Sequence, residues 1–410
     1  MGEDRMKFAF LLHNAYAVGG TVRTTLNLAS ALADAGHSVE IAALNRHREE
    51  PRFTVDPRVR LVPLVDLRQG AADRTDPRFA EPARDFPTAE RRHAQYTRLH
   101  DIRAREYLGA TRADVVIGTR PGLNVYLALF GPRRAFRVAQ EHLRLAAHSK
   151  KLRRVLREHY RRLDAVVTTT EADAAAYRSR MRLPGVRVLA VPNIVPAPDL
   201  GAPGEEPERE QVIAAAGRLV RGKRFDLLLD AFAPVAAKHP EWTLRVYGGG
   251  DEKKRLQQRI RDLELEGSAQ LMGTRSPIEK EFARASLVVS SSDAESFGMT
   301  LVEAMRCGVP VISTDCPLGP AEIIHDGIDG CLVPVGERRG LTDAMLALIE
   351  NEPRRSVMGE AARVSARRYD PDRIVAHYTR LFATLPPHPT LRVLRRTTAA
   401  ALASAAARLR

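Results

Sequence analysis

Short, nearly continuous apolar runs alternate with stretches of helical spacing along this chain, and the alternation starts afresh about halfway. KFAFLLHN passes through a loop, AVGGT, into VRTTLNLASALADAGH, where apolar residues recur at helical intervals before a glycine stop. SVEIAALNR, ADVVIGTR, RAFRVAQEH and DAVVTTTEAD are further apolar runs, each beside a helical stretch. Runs this apolar suit strands covered on both faces, and strands that alternate with helices assemble into an open parallel sheet. The sequence therefore predicts an α/β protein.

A chain of 410 residues has room for two domains, each with its own core. VRVLAVPNIVPAP leads into GAPGEEPERE, a stretch rich in Pro, Gly and Glu of the kind that links domains, which sets a boundary within residues 196–209. Beyond it the pattern restarts with QVIAAAGRL and runs through TLRVYGGG, AQLMG and LVVSSS to PVISTD, with helical stretches between. The halves share an architecture and no detectable sequence period, which excludes a solenoid. The expected domains are 1–196 and 197–369, with the site in a cleft between them. Residues 49–105, charged and rich in Arg, are expected as mobile loops and an exposed helix.

The charge balance is +14, carried mostly by Arg, which favours anionic partners without naming one. An aromatic share of 5% argues against stacking on single-stranded nucleic acid. Cys307, Cys316 and Cys331 show no metal-ligand spacing and read as reduced structural thiols. No window reaches the roughly 18 apolar residues of a membrane span, and MGEDRMKFAFLLHNAY lacks a leader's cleavage site, so a cytoplasmic protein is expected. The end, TLRVLRRTTAAALASAAARLR, forms a basic tail helix over 388–410, solvated or lying on an anionic membrane.

Chemistry concentrates in SSSDAESFGMTLVEAMRCGVPVISTD. The strand LVVSSS ends just before Glu295, which puts that carboxylate at the carboxyl edge of a parallel sheet, where such sheets bind ligands. Main-chain N–H groups of Phe297, Gly298, Met299, Thr300 and Leu301 open a helix, and unpaired donors there suit phosphate or a sugar hydroxyl. Glu303 follows two turns later, turned toward the sheet edge, where its carboxylate can accept both hydroxyls of a ribose.

In this segment the sequence resembles the retaining glycosyltransferases of the two-domain GT-B fold that carry a Glu, seven residues, Glu motif, often called family 4. The resemblance extends over nearly the whole chain: GGT, QEH, VPNIV, GRLVRGKRFD, ESFGMTLVEAMRCGVPV and GPAEIIHDGIDGCLVP in order. It implies two Rossmann-like domains facing across a cleft, with a helix over about 370–387 crossing back onto the first. Arg218 and Lys223 match residues that hold the donor diphosphate and stabilise it as it leaves. Gly19 and Gly20 match a loop whose N–H groups reach that diphosphate, and Thr21 and Arg23 follow at the helix start.

His142 matches a histidine touching the donor sugar, with Glu141 as an exchangeable neighbour. Glu295 matches a sugar anchor and Glu303 a ribose anchor, so neither is a nucleophile. The implied catalytic set is His142, Glu295, Arg218 and Lys223, with front-face attack in which the departing diphosphate accepts the acceptor's proton. No cofactor or metal is expected, because cations and helix N–H groups take a divalent ion's place. The resemblance implies a nucleotide-sugar donor that gives up a hexose and leaves the acceptor open among a cell-envelope polymer, a lipid-linked glycan and a natural product, with an anionic or lipid-linked one in view and no nucleic acid expected. TRPGLN with QEH resembles bacterial polyol-phosphate polymer glucosyltransferases.

YGGG at 247–250 lacks phosphate-loop spacing and reads mainly as a turn. A sugar-nucleotide epimerase or hydrolase on the same fold is the competing enzyme reading, and the Glu pair fits the transferases better. A basic protein binding membrane or nucleic acid is the competing non-enzyme reading. It leaves Glu295, Glu303, Arg218 and Lys223 without a reason.

Overall fold

The computed structural model describes residues 5–200, 207–385 and 398–399. The chain divides into two units, Met1–Ile194 with Pro371–Arg410, and Val195–Asp370. Residues 201–206 of the expected linker and nearly all of the expected tail helix lie outside the described residues.

The first unit is built on a seven-stranded parallel sheet: β1 Lys7–Leu12, β2 Ser38–Ala43, β3 Val59–Pro63, β4 Val115–Gly118, β5 Phe136–Glu141, β6 Ala165–Thr168 and β7 Arg187–Ala190. The strand order is β3-β2-β1-β4-β5-β6-β7, and every neighbouring pair is parallel. Strand alternation divides the apolar residues of β1 between two cores. Phe8, Phe10 and Leu12 pack with Leu26 and Leu32 of the helix Gly20–Asp34, and with Tyr378 and Phe382 of the helix Pro371–Thr384. Ala9 and Leu11 face the other core, which holds Tyr96, Tyr126, Tyr160 and Tyr177. Each fully buried large apolar side chain contributes about 1.5–3 kcal/mol, so the late helix is a structural member of this unit. Gln140 Nε2 donates to Tyr378 OH at 2.9 Å inside the same core.

Residues 49–105 are far from the loop and exposed helix expected of them. They supply the edge strand β3 and bury Phe86 and Tyr96, stacked at 3.7 Å between centroids. Gly122 lets them in, since a Cβ there would stand 2.0 Å from the Phe86 ring. The many Arg residues of this stretch are neutralised locally: Arg58 pairs with Asp34 and Asp56, Arg78 with Asp76, Arg98 with Asp85 and Asp101.

The second unit carries six parallel strands: β8 Glu210–Ala216, β9 Thr243–Tyr247, β10 Ala269–Gly273, β11 Ala285–Ser290, β12 Val311–Thr314 and β13 Gly330–Val333. Their order is β10-β9-β8-β11-β12-β13. Ile213 and Ala215 face the helices Phe225–Lys238 and Arg338–Ile349, while Val212 and Ala214 face Phe282, Leu301 and Tyr369. Both sheets are Rossmann-like, with helices on each face.

Candidate functional site

In an open parallel sheet, ligands bind beyond the carboxyl ends of the strands at the point where strand order reverses. In the second unit that point lies between β8 and β11. The loop after β8 carries Arg218 and Lys223, and the loop after β11 carries Glu295. The two loops are bridged there: Lys223 Nζ donates to Glu295 Oε1, and Ser292 Oγ donates to the same oxygen at 2.7 Å. Main-chain bonds fix the loops further. Asp293 N donates to Gly222 O at 2.9 Å, and Ser291 Oγ donates to Arg224 O at 2.8 Å. On its other side Glu295 pairs like a strand residue with Leu318, its N–H reaching Pro317 O at 2.9 Å.

Glu295 is thus held by main chain and side chain together, with 12% of its side chain exposed, against 22% for Lys223. Arg218 behaves differently. Its side chain is exposed and finds no partner among the described residues. Cys316, beyond β12, is buried beside this site, and burial together with the Glu295 charge pushes its thiol up to about 11. It is an inert structural thiol, and none of the three cysteines forms a disulfide.

The helix Met299–Arg306 starts from Gly298 at φ 109, a conformation that favours glycine, and no side chain caps it. The expected row of open donors is shorter than the sequence suggested, because Leu301 N–H already donates to Gly298 O at 3.0 Å. Phe297 turns its ring into the core against Tyr369, leaving only its main chain toward the loop, while Met299 and Thr300 are half-buried in the first turn. Glu303 is buried at 4% exposure, which excludes an ordinary solvated helix charge. The 247–250 glycines serve packing: a Cβ on Gly248 would lie 1.8 Å from Gly217 O, and one on Gly250 2.4 Å from Leu219 O.

In the first unit the order reverses between β1 and β4. Gly19 and Gly20 lie in the loop after β1, at the start of the helix Gly20–Asp34, and a Cβ on either would meet nothing within 4 Å. His142 directly follows β5, partly buried, with no partner for Nε2 among the described residues. Burial holds its pKa down to about 4, against the opposing pull of Glu141, so the ring is neutral at pH 7.

Glu141 itself was expected as an exchangeable neighbour, and the structure corrects this. It is buried, accepts a hydrogen bond from Tyr160 OH and one from Asn124 Nδ2 at 3.1 Å, and faces His148 at 3.4 Å. A carboxylate so enclosed is part of the core's polar framework.

Sequence reasoning missed a group at the first unit's reversal point. His13 follows β1 and Arg120 follows β4, while Arg92 Nη1 meets His13 Nε2 at 3.1 Å and Arg120 Nη2 donates to the buried Glu90 at 2.7 Å. Burial first, then the charges of Arg120 and Arg92, hold His13 down to about 3. The available signal was positional: His13 and Arg120 each stand one or two residues beyond an apolar strand.

Among the described residues no group of three or more His, Cys, Asp or Glu is arranged to hold a metal ion, and no helix is long and apolar enough to cross a membrane.

Comparison with known proteins now bears on this arrangement. Residues 199–365 match the family described as "Glycosyl transferases group 1", and residues 19–194 match a "Glycosyl transferase 4-like domain". An exopolysaccharide phosphotransferase of Streptomyces coelicolor is 32% identical over 93% of this chain, which spans only 41% of that relative's length. The amylovoran biosynthesis glycosyltransferase AmsD of Erwinia amylovora is 27% identical over 90% of this chain and 97% of its own. Among solved structures, a point mutant of S. aureus TarM crystallised with UDP, fondaparinux and α-GlcNAc-glycerol superimposes with a TM-score of 0.74 at 17% identity, over 92% of this chain and 99% of that one. At that identity the likeness speaks to the GT-B fold. The two matched domains, in this order on this fold, make the chain a member of the group 1, family 4-like glycosyltransferases.

Proposed function

We propose that the chain is a retaining hexosyltransferase that moves a sugar from a nucleoside-diphosphate sugar to a hydroxyl of an anionic cell-envelope polymer or lipid-linked glycan. The observation that carries this reading is the Lys223–Glu295–Ser292 bridge across the β8/β11 reversal point, with Arg218 exposed beside it.

Arg218 and Lys223 neutralise the diphosphate as it gains charge on leaving, a role worth about 10²- to 10³-fold in rate for a single well-placed donor. Glu295 orients the sugar through its hydroxyls and Glu303 the ribose, which suits two carboxylates held rigidly and largely out of water. His142, neutral at pH 7, offers a hydrogen bond to the sugar without adding a charge near the reacting carbon. In the transfer the bond from the anomeric carbon to the diphosphate oxygen breaks on the same face on which the acceptor oxygen bonds. The acceptor's proton passes to the departing diphosphate.

Two cations at the diphosphate do the work of a divalent ion in this scheme, so turnover is expected to survive EDTA. Arg92, whose guanidinium meets His13 and Gln95 and no carboxylate among the described residues, favours an anionic acceptor on the first unit. The reading also places the protein at the cytoplasmic face of the membrane.

The deciding experiment offers UDP-, GDP- and ADP-sugars one at a time, following binding and slow donor hydrolysis. One donor should bind and hydrolyse, and Arg218→Ala should abolish hydrolysis. If no nucleotide sugar binds, the reading fails. NMR of the product's anomeric carbon then tests retention, and an inverted product rejects the front-face route.

A further inference from the structure

The helix Lys150–Tyr160 turns Leu152, Leu156 and Tyr160 into the core of the first unit and presents Lys150, Lys151, Arg154 and Arg157 to solvent. Arg161 continues the exposed row one turn later. Residues 150–162 hold seven Lys or Arg against a single acid, Glu158. Lys150, Lys151, Arg153, Arg154 and Arg161 have no acidic partner among the described residues. This sets them apart from Arg58, Arg78 and Arg98 of the 49–105 stretch, which are locked to neighbouring carboxylates. Arg157 Nη2 caps Arg180 O at 3.0 Å, which joins the row to the exposed end of the helix Glu171–Met181.

Immediately before the helix the chain exposes apolar surface. Leu143 is 47% exposed, and Ala146 and Ala147 are exposed in the turn that follows it. Ser149 then caps the helix by accepting from Leu152 N at 3.1 Å, so the apolar tip and the cationic row are rigidly joined. A leucine that projects beside unneutralised cations matches the boundary between acyl chains and anionic headgroups. Nucleic acid fits less well, because the patch offers no exposed aromatic ring for a base.

We propose that this rim of the first unit, Leu143 with the outer face of the helix Lys150–Tyr160, docks on an anionic lipid surface. Cations supply the long-range attraction and Leu143 enters the headgroup boundary. The inference goes beyond the proposed transfer reaction and does not depend on it, since docking is read without any donor sugar.

The test is co-sedimentation of the full-length protein with vesicles of phosphatidylcholine alone, or with about a third phosphatidylglycerol. Binding is expected to the anionic vesicles only and to fall with added salt. A variant carrying Lys150→Glu, Lys151→Glu, Arg154→Glu and Arg161→Glu should lose more than about threefold of the bound fraction, with an unchanged melting temperature. Leu143→Trp should shift its emission to the blue on anionic vesicles. A smaller loss in the charge variant, or unshifted Leu143→Trp emission, overturns the proposal. So does capture of double-stranded DNA without vesicle binding.

Discussion

The two sheets are wired alike, and their reversal points are furnished in opposite ways. In the second unit the point is closed by the chain itself: Lys223 bonds Glu295, Ser292 supports it, and Gly248 packs against the main chain of Gly217. In the first unit the point is open. Among the described residues a Cβ on Gly19 or Gly20 would meet nothing within 4 Å, His142 Nε2 has no partner, and the Arg92 guanidinium meets the neutral His13 and Gln95. Rigid, pre-paired groups suit a ligand bound the same way in every turnover, whereas open space suits an approach supplied by something outside the chain. Under the proposed reading the pre-paired second edge would hold the invariant nucleotide, and the open first edge would admit the donor's sugar end and the variable acceptor.

That contrast can be broken experimentally, and the largest effect should come from the bridge. Lys223→Ala removes the cation and one of two side-chain supports of Glu295. Donor turnover should fall about 10²- to 10³-fold while the melting temperature holds, and turnover within threefold of wild type would dissolve the assignment. Gly248→Ala comes next: its Cβ, 1.8 Å from Gly217 O, should cost about 3 kcal/mol, visible as a lower denaturant midpoint of the second unit. Tyr160→Phe leaves buried Glu141 short of a donor and should cost the first unit about 2 kcal/mol.

Acid should act mainly on the first unit. His13 at about 3 and His100 and His142 at about 4 are all depressed by burial below the ordinary 6.5. Between those values and pH 6.5 these three histidines bind more protons in the unfolded chain than in the folded one. Asp173, raised to about 6 by burial, and His148, also raised, act in the opposite direction. The stability the three histidines contribute is thus complete above pH 6.5 and is lost progressively as pH falls toward 4. His13→Asn should flatten that acid limb, by about 2 °C between pH 7 and 5. An acid limb identical to wild type would mean that His13 takes up its proton as readily in the fold as in the unfolded chain. Gly20→Ala should change stability least, within about 0.5 kcal/mol, and any loss of activity it causes must come from crowding a ligand.

Central strands were legible in the sequence, and of the four edge strands only β10, as AQLMG, was. Buried on both faces, β1, β4, β5 and β11 read as continuous apolar runs. The strands that escaped notice, β3, β7 and β13, all lie at a sheet edge, where exposure admits the arginines of VRLVP and RVLA, while β13 is only the four residues GCLV. The 49–105 stretch misled similarly, because its arginines are neutralised by partners that local composition does not reveal. Within the site, Lys223 and Glu295 were legible as motif residues, but their mutual bond was not, since 72 residues separate them. Glu141 looked replaceable because its partners, Asn124, Tyr160 and His148, come from three other places in the chain.

The passage of the chain out of the first unit at Ile194 and back at Pro371 has a consequence for synthesis. The strand carrying Phe8 and Phe10 is made before Val195–Asp370, yet Tyr378 and Phe382, which pack against it, are made after that unit. Until then the part of the sheet's apolar face that Tyr378 and Phe382 cover stays open while the whole of Val195–Asp370 is translated. Of the two units, the one that begins folding earlier is the later to finish, and its exposed face in the interval is where chaperones or premature aggregation would act.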